Sequence, residues 1–424
     1  MKTTNTIIKV ILFDHVVGYL SWDEKRKRAA FEYDQKFLDL GLDIAPLTMP
    51  INSVRSRNGM TWDGIEDQLY QGLPAVFADS LPDKWGTSLF KRWITENNLS
   101  KKTVTPLDHL AFIGKRGIGA LEYEPAIDLG KSTSTNIDIQ QLYEFAKQIL
   151  DERETTILNY DNSILWQDLI RVGTSAGGKR PKAIVAINKI TGQTMSGQGL
   201  IPEGFYHYIL KYDDNQGFPY AKMEYVYYLM ASDAGIKMMP SSLKQYGNIS
   251  HFLTERFDRK GNKKIHTQTL AAIKPFSDSY EDAFSAMREL NCSYSDFEQL
   301  YRIMVFNILS GNVDDHNKNI SFLMDDFGKW SLAPAYDITY CLDSNSSKLY
   351  NRHELTIQGK DYDITTNDLL TIGEKNDIRN CSQIIEEIKE TISNIDLYAK
   401  RVEIPNTVLH TIKKAINLQC FLTL

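Results

Sequence analysis

The sequence predicts an α+β chain in which a mixed α/β amino-terminal domain is followed by a strand-rich segment and then a helical one. Three observations lead there. Short β-branched runs recur up to about Arg259, and apolar residues at helical spacing dominate after it. The stretch Asp128-Leu129-Gly130-Lys131-Ser132-Thr133-Ser134-Thr135-Asn136 is small, polar and aperiodic, as a linker is. At 424 residues the chain exceeds what one hydrophobic core supports. Domains are expected over residues 1–130, 137–259 and 260–424.

The elements follow in order. Ile7 to Phe13 is broken by Lys9 and followed by Asp14-His15, so it reads as a strand rather than a signal peptide or a membrane span. Val16 to Trp22 is a second strand. The most basic run, Lys25-Arg26-Lys27-Arg28, is a solvated turn between strands. Asp79-Ser80-Leu81 precedes a helix from Pro82 to Asn97. A helix from Asp138 to Asp151 opens the second segment, whose strands are interrupted by an amphipathic helix from Ala221 to Ala234. Ser295-Asp296-Phe297-Glu298 has the form of a capping box, and Phe297, Leu300, Tyr301, Met304, Val305, Ile308 and Leu309 follow at helical spacing. That helix ends at Ser310-Gly311.

Composition narrows the function classes. The 42% hydrophobic and 24% charged fractions are those of a soluble globular protein, and the net charge of −6 argues against broad nucleic-acid binding, so any such contact is local. Cys292, Cys341, Cys381 and Cys420 are far apart, with no CxxC pair and no zinc-type spacing, which fits a reducing cytoplasm.

Chemistry concentrates just past Gly311. Asn312-Val313-Asp314-Asp315-His316-Asn317-Lys318-Asn319 is followed by a hairpin signal and by Ala333-Pro334-Ala335-Tyr336-Asp337. Protein kinases place a catalytic Asp five residues ahead of a metal-binding Asn, with a second metal-binding Asp further on, and Asp314 to Asn319 has that spacing. Asp326-Phe327-Gly328 matches the kinase DFG triplet in letters only. Strands over Ile320 to Met324 and Trp330 to Leu332, turning at Asp325 to Lys329, put Asp326 about 20 Å up an extended strand from Asn319 and bring residues 335 to 337 back beside it. Asp337 therefore completes the set. Asn319 and Asp337 would hold Mg²⁺ against a nucleotide's phosphates, leaving Asp314 to orient a hydroxyl and accept its proton. The competing reading is a polar loop and hairpin without a ligand.

Gly173-Thr174-Ser175-Ala176-Gly177-Gly178-Lys179-Arg180 nearly matches the Walker phosphate loop, but Arg180 stands where that loop needs a hydroxyl. Pro181-Lys182 then leads into a strand, Ala183 to Ile187, where a Walker loop would open a helix. A glycine-rich loop between strands is the kinase arrangement. Its N–H groups, with Lys179, Arg180 and Lys182, suit a polyphosphate; an ordinary β-turn is the alternative. Tyr208-Ile209-Leu210-Lys211-Tyr212 is a strand carrying a Lys, and the next helix carries Glu224, a pairing kinases use at the phosphates.

In this order the motifs resemble the HipA family of bacterial serine/threonine protein kinases, the toxin components of HipBA-type toxin–antitoxin pairs. The resemblance spans nearly the whole chain. It includes Ala78-Asp79-Ser80-Leu81-Pro82-Asp83, Arg116-Gly117-Ile118-Gly119-Ala120-Leu121, Ser175 to Lys182, Glu255-Arg256-Phe257-Asp258-Arg259, Asp314 to Asn319 and Tyr336-Asp337. It implies a bilobal protein-kinase-like fold, with a strand-rich lobe and a helical lobe, behind the amino-terminal domain. It also implies that Asp314 is the catalytic base and that Asn319 and Asp337 bind Mg²⁺. ATP would be bound by Gly177, Gly178, Lys179, Arg180, Lys182 and Lys211 at its phosphates and by Glu255 and Phe257 at its adenine, with His316 and Lys318 shaping the catalytic loop. Ser175 matches an autophosphorylation site, where roughly −1.5 to −2 added charges would repel ATP's phosphates.

The expected function is thus a cytoplasmic, Mg²⁺- and ATP-dependent toxin kinase with no membrane association. It would phosphorylate a translation-related protein and be restrained by a small helix-turn-helix, HipB-like antitoxin that makes most of the DNA contact. Two readings from other classes stay open: a nucleotide-binding regulatory partner of a DNA-binding antitoxin with little catalysis, and a small-molecule kinase.

Overall fold

The structure is a computed structural model that describes residues 7–97, 104–127, 143–144, 181–213, 217–342 and 351–420. The expected linker and nearly all of the expected helix from 138 to 151 lie outside them. The chain packs into two compact units, one of residues 1–214, 244–268 and 324–329, the other of residues 215–243, 269–323 and 330–424. Strands dominate the first and helices the second, the α+β class read from the sequence.

Alternation builds the first sheet of the first unit. In β1 (Ile7–Leu12) Ile8, Val10 and Leu12 are buried, while Ile7 faces solvent. β1 pairs antiparallel with β2 (His15–Asp23), which pairs with β3 (Arg28–Tyr33); β4 (Trp62–Asp63) and β5 (Glu122–Glu124) close the order β4-β3-β2-β1-β5. The basic run sits at the turn between β2 and β3, where Arg26 pairs with Asp63 and Lys27 with Glu24 on the surface.

The helix Lys84–Glu96 starts two residues later than expected, because Asp83 rather than an earlier residue caps it: Oδ1 accepts the Gly86 N–H at 2.6 Å. Its Trp85, Leu89, Phe90 and Ile94 share a core with Ala183, Val185, Ile187, Tyr208 and Leu210 of the second sheet and with Tyr212 just past it. That sheet has the order β7-β6-β8-β10-β9, from β6 (Lys182–Asn188), β7 (Thr194–Ser196), β8 (Phe205–Lys211), β9 (Ser241–Tyr246) and β10 (Ile249–Glu255). Each large apolar side chain so buried contributes about 1.5–3 kcal/mol. A single core thus joins the amino-terminal region to the sheet. Beyond it run the two-residue pair β11 (Arg259–Lys260) and β12 (Lys263–Lys264), and β13 (His266–Thr269).

In the second unit the helix Tyr294–Ser310 is central. Its cap corrects the sequence reading: Ser293, not Ser295, is the N-cap, and the reciprocal partner is Asp296, whose carboxylate accepts the Ser293 N–H at 2.9 Å. Aspartate at the third helical position reaches back as well as glutamate would, so the helix begins earlier. It ends as expected, with Gly311 in the left-handed region at φ 74°. The helix Tyr220–Asp233 is tied to it by Tyr227, whose hydroxyl donates to the Ser310 carbonyl at 2.6 Å. Among the described residues no helix is long and apolar enough to cross a membrane.

Four histidines of the first unit set an acid limit. Burial holds His266 down to about 3 and His109, His207 and His251 to about 4, against an ordinary value of 6.5. Between these values the unfolded chain takes up protons that the folded one refuses, so stability falls as pH drops from 6.5 toward 4. Asp43, raised by burial to about 6, acts the other way, but it is one group against four. Circular-dichroism melts are therefore expected to show a falling melting temperature across that window, and a flat profile would contradict the assignment.

Candidate active site

The loop leaving Gly311 is organised around one buried carboxylate. Asn312 Nδ2 donates to Asn307 Oδ1 at 2.9 Å, Asn307 Nδ2 to the Tyr280 hydroxyl at 3.0 Å, and that hydroxyl to Asp315 Oδ2 at 2.9 Å. His353 Nδ1 lies 3.0 Å from the same oxygen, and the Glu354 N–H donates to Asp315 Oδ1 at 2.9 Å. A carboxylate out of water needs such partners. Held inward, Asp315 is 2% exposed, and its neighbour Asp314 is turned out with its side chain 65% exposed.

The rest of the loop folds back on Asp314. Asn319 Nδ2 donates to the Asp314 carbonyl at 2.8 Å, which leaves Oδ1 as the atom able to meet a cation. The Asn319 N–H donates to the His316 carbonyl at 2.8 Å, and His316 Nε2 stands 3.9 Å from Asp314 Oδ1. Asn317 Nδ2 anchors the far side on the Ser277 carbonyl at 2.8 Å.

β14 (Ser321–Met324) and β15 (Trp330–Leu332) form the expected hairpin. The returning chain brings Tyr336 to the loop, its hydroxyl donating to the Lys318 carbonyl at 2.6 Å and lying 2.6 Å from Ser321 Oγ. Asp337 follows in the left-handed region at φ 53°. The thiol of Cys341 senses what gathers here: burial pushes it up to about 12, and the charges of Asp314, Glu224 and Asp337 push the same way. Asp326-Phe327-Gly328 forms the hairpin tip, with Phe327 92% exposed and Asp326 paired to Lys263.

The donor set fits magnesium. Asn319 and Asp337 offer hard oxygens, and Mg²⁺ is held by one or two such ligands plus phosphate and water. Among the described residues no cluster of three or more His, Cys, Asp or Glu could form a cage made of protein alone.

The remaining expected site residues belong to the first unit. Lys182 and Lys211 stand directly opposite each other in the β6–β8 ladder. Lys211 Nζ is 5.7 Å from the Phe252 ring centroid. Lys182, expected at the phosphates, has its ammonium 3.2 Å from Asp83 and its side chain 3% exposed. The Glu255 carboxylate pairs with Lys189 at 2.9 Å, the Arg256 N–H bonds to the His207 carbonyl, and Phe257 is half-buried. Below them Asp258 gathers Arg256 and Arg259, and the Gly119 N–H donates to it at 2.7 Å. Burial alone would raise the Asp258 carboxyl, but the two guanidiniums outweigh it and hold it well below the usual range. Ser175, Gly177, Gly178, Lys179 and Arg180 lie outside the described residues.

Sequence reasoning missed Asp315, Tyr280, Asn307 and His353. The doubled Asp314-Asp315 was a usable signal, since one carboxylate of such a pair tends to turn inward; His353 carried none.

An outward aspartate, an asparagine five residues on and a returning aspartate, set on a helical unit that follows antiparallel sheets, define a protein-kinase-like fold with an added amino-terminal domain. The HipA N-terminal domain model matches residues 8–124, and the HipA-like C-terminal domain model matches residues 174–395, more than half of the chain. The chain belongs to the HipA family. A solved chain of the Shewanella oneidensis MR-1 toxin–antitoxin complex of HipA, HipB and operator DNA is similar in fold, at 17% identity and TM-score 0.65, over 98% of this chain and 96% of that one. The Helicobacter pylori proinflammatory kinase CtkA aligns at 17% identity and TM-score 0.30, over 48% of this chain and 92% of its own. No curated protein matches the chain.

The Asp315 network makes a stability prediction. Asp315→Ala removes the acceptor of the Tyr280 hydroxyl and the partner of His353 Nδ1, and leaves the Glu354 N–H with only its longer bond to the Val313 carbonyl at 3.3 Å; each buried group left unsatisfied costs about 1–3 kcal/mol. Urea denaturation is expected to show a loss of at least one such increment; a change within about 0.5 kcal/mol, the range of an ordinary surface substitution, would mean that the loop is held by other contacts.

Proposed function

We propose that this protein is a toxin-type serine/threonine protein kinase that uses Mg²⁺ and ATP. The observation that carries the reading is the loop in which Asn319 bonds back to the carbonyl of solvent-facing Asp314 and to which Tyr336, the residue before Asp337, is tied at the Lys318 carbonyl. Asp314 would align the acceptor hydroxyl and take its proton as the oxygen attacks. Asn319 and Asp337 would hold the metal, which when bound supplies neutralising charge at the β- and γ-phosphate oxygens. His316 and Lys318 would keep the loop in shape. Lys211 and Lys182, with Gly177, Gly178, Lys179 and Arg180, would face the phosphates. With the Glu255 carboxylate paired to Lys189, its part at the adenine would fall to backbone groups, beside the Phe257 ring.

Ser175 is proposed as an autophosphorylation site. Its added charge, in a loop meant for ATP's phosphates, would favour an inactive loop. The antitoxin is proposed to be a small DNA-binding, HipB-like protein. Support comes from the HipB and operator DNA in the Shewanella complex and from this chain's net charge of −6, which suits a protein that leaves most DNA contact to its partner. The acceptor is proposed to be a protein of the translation apparatus in the cytoplasm.

Labelled ATP and Mg²⁺ in a cell lysate test the reading. Wild type is expected to label a cellular protein and its own Ser175, and Asp314→Ala to lower transfer by about 10²- to 10⁴-fold. An unchanged rate in that variant would remove Asp314 from the chemistry, and a labelled metabolite without labelled protein would make this a small-molecule kinase. Asp337→Asn, which keeps the shape but removes the charge, is expected to shift the Mg²⁺ dependence of any remaining activity to higher concentration.

A further inference from the structure

We propose that Asp83 is the positioning carboxylate of Lys182, so that the amino-terminal region supplies part of the nucleotide site. This deepens the kinase reading and rests on it. The Lys182 side chain is 3% exposed, and an ammonium taken out of water is tolerated only beside a compensating charge. Asp83, itself 9% exposed, provides it at 3.2 Å.

The carboxylate is not free to wander. Its Oδ1 accepts the Gly86 N–H at 2.6 Å as the N-cap of the helix Lys84–Glu96, an end that also favours negative charge. Its Oδ2 accepts no hydrogen bond among the described residues and faces the Lys182 ammonium. The same helical turn grips the lysine's backbone, because Trp85 Nε1 donates to the Lys182 carbonyl at 3.2 Å, and Trp85 is fixed in the core of the first unit. Lys182 is therefore held at two points by one turn of one helix.

Its place in the sheet says what the grip is for. Lys182 opens β6 immediately after the glycine-rich segment and stands opposite Lys211. Like charges directly opposite in an antiparallel ladder repel, so an anion beside them is stabilising. Asp83 supplies one at Lys182, and a polyphosphate would supply another. Kinases orient their phosphate-binding lysine with an acid on a neighbouring helix. Asp83 would fill that role for Lys182 from the amino-terminal region, as Glu224 is expected to do for Lys211.

Calorimetry on the full-length protein with Mg²⁺ tests this with two probes, a non-hydrolysable ATP analogue and adenosine. Asp83→Asn is expected to weaken the ATP analogue by about 10-fold or more and adenosine by less than about twofold, with Asp83→Glu recovering part of the loss. Equal weakening of both probes would make the pair merely structural and overturn the proposal, as would an unchanged or a tighter ATP analogue. If Asp83→Asn does not fold, the double variant Asp83→Asn/Lys182→Met removes both buried charges and is expected to show the same phosphate-specific loss. Wild type that binds neither probe would instead overturn the kinase reading itself.

Discussion

A carboxyl group taken out of water must find hydrogen-bond partners inside the protein, and that constraint shapes the helical unit. Asp315 is buried, so the chain brings it a tyrosine hydroxyl from the helix Tyr280–Glu289, a histidine ring from residue 353 and a backbone N–H from residue 354. Two separated segments meet at one side chain. The outward turn of Asp314, the position of Asn319 beneath it and the path of the loop all follow from where Asp315 is fixed. The chemistry proposed for Asp314 thus depends on its sequence neighbour, which touches nothing outside the protein.

Much of this was legible in the chain, and the reasons differ between elements. β1 and β2 were readable because half-buried strands alternate, and the helix Tyr294–Ser310 because its apolar residues repeat at helical spacing. Its start was misread by two residues because Ser293 and Ser295 both offer a hydroxyl ahead of an acid; only geometry decides which acid reaches back. The hairpin was readable, since strand length and turn position follow from local composition. What could not be read was the partnering of distant residues. Nothing near Lys182 in sequence announces Asp83, and nothing near Asp315 announces His353, because such pairs are made by the tertiary fold alone.

The first unit shows the same dependence on long-range packing. Two motifs of the amino-terminal region, one ending at Asp83 and one running from Arg116 to Leu121, have no chemistry of their own. Each meets a segment on the sheet side: Asp83 takes Lys182, and the carbonyls of Gly117 and Gly119 accept from Arg259 at 3.0 Å. With the shared apolar core, these polar clasps join what the sequence divides into separate domains. A motif without reactive groups can still be constrained, as a fastening.

The backbone at Asp337 narrows the choice of residue there in its own way. A left-handed φ of 53° disfavours β-branched side chains and is adopted at least cost by glycine, asparagine and aspartate. Of those three, only aspartate carries a full negative charge. The backbone and the metal role proposed for Asp337 would therefore favour the same amino acid, one on steric and the other on electrostatic grounds.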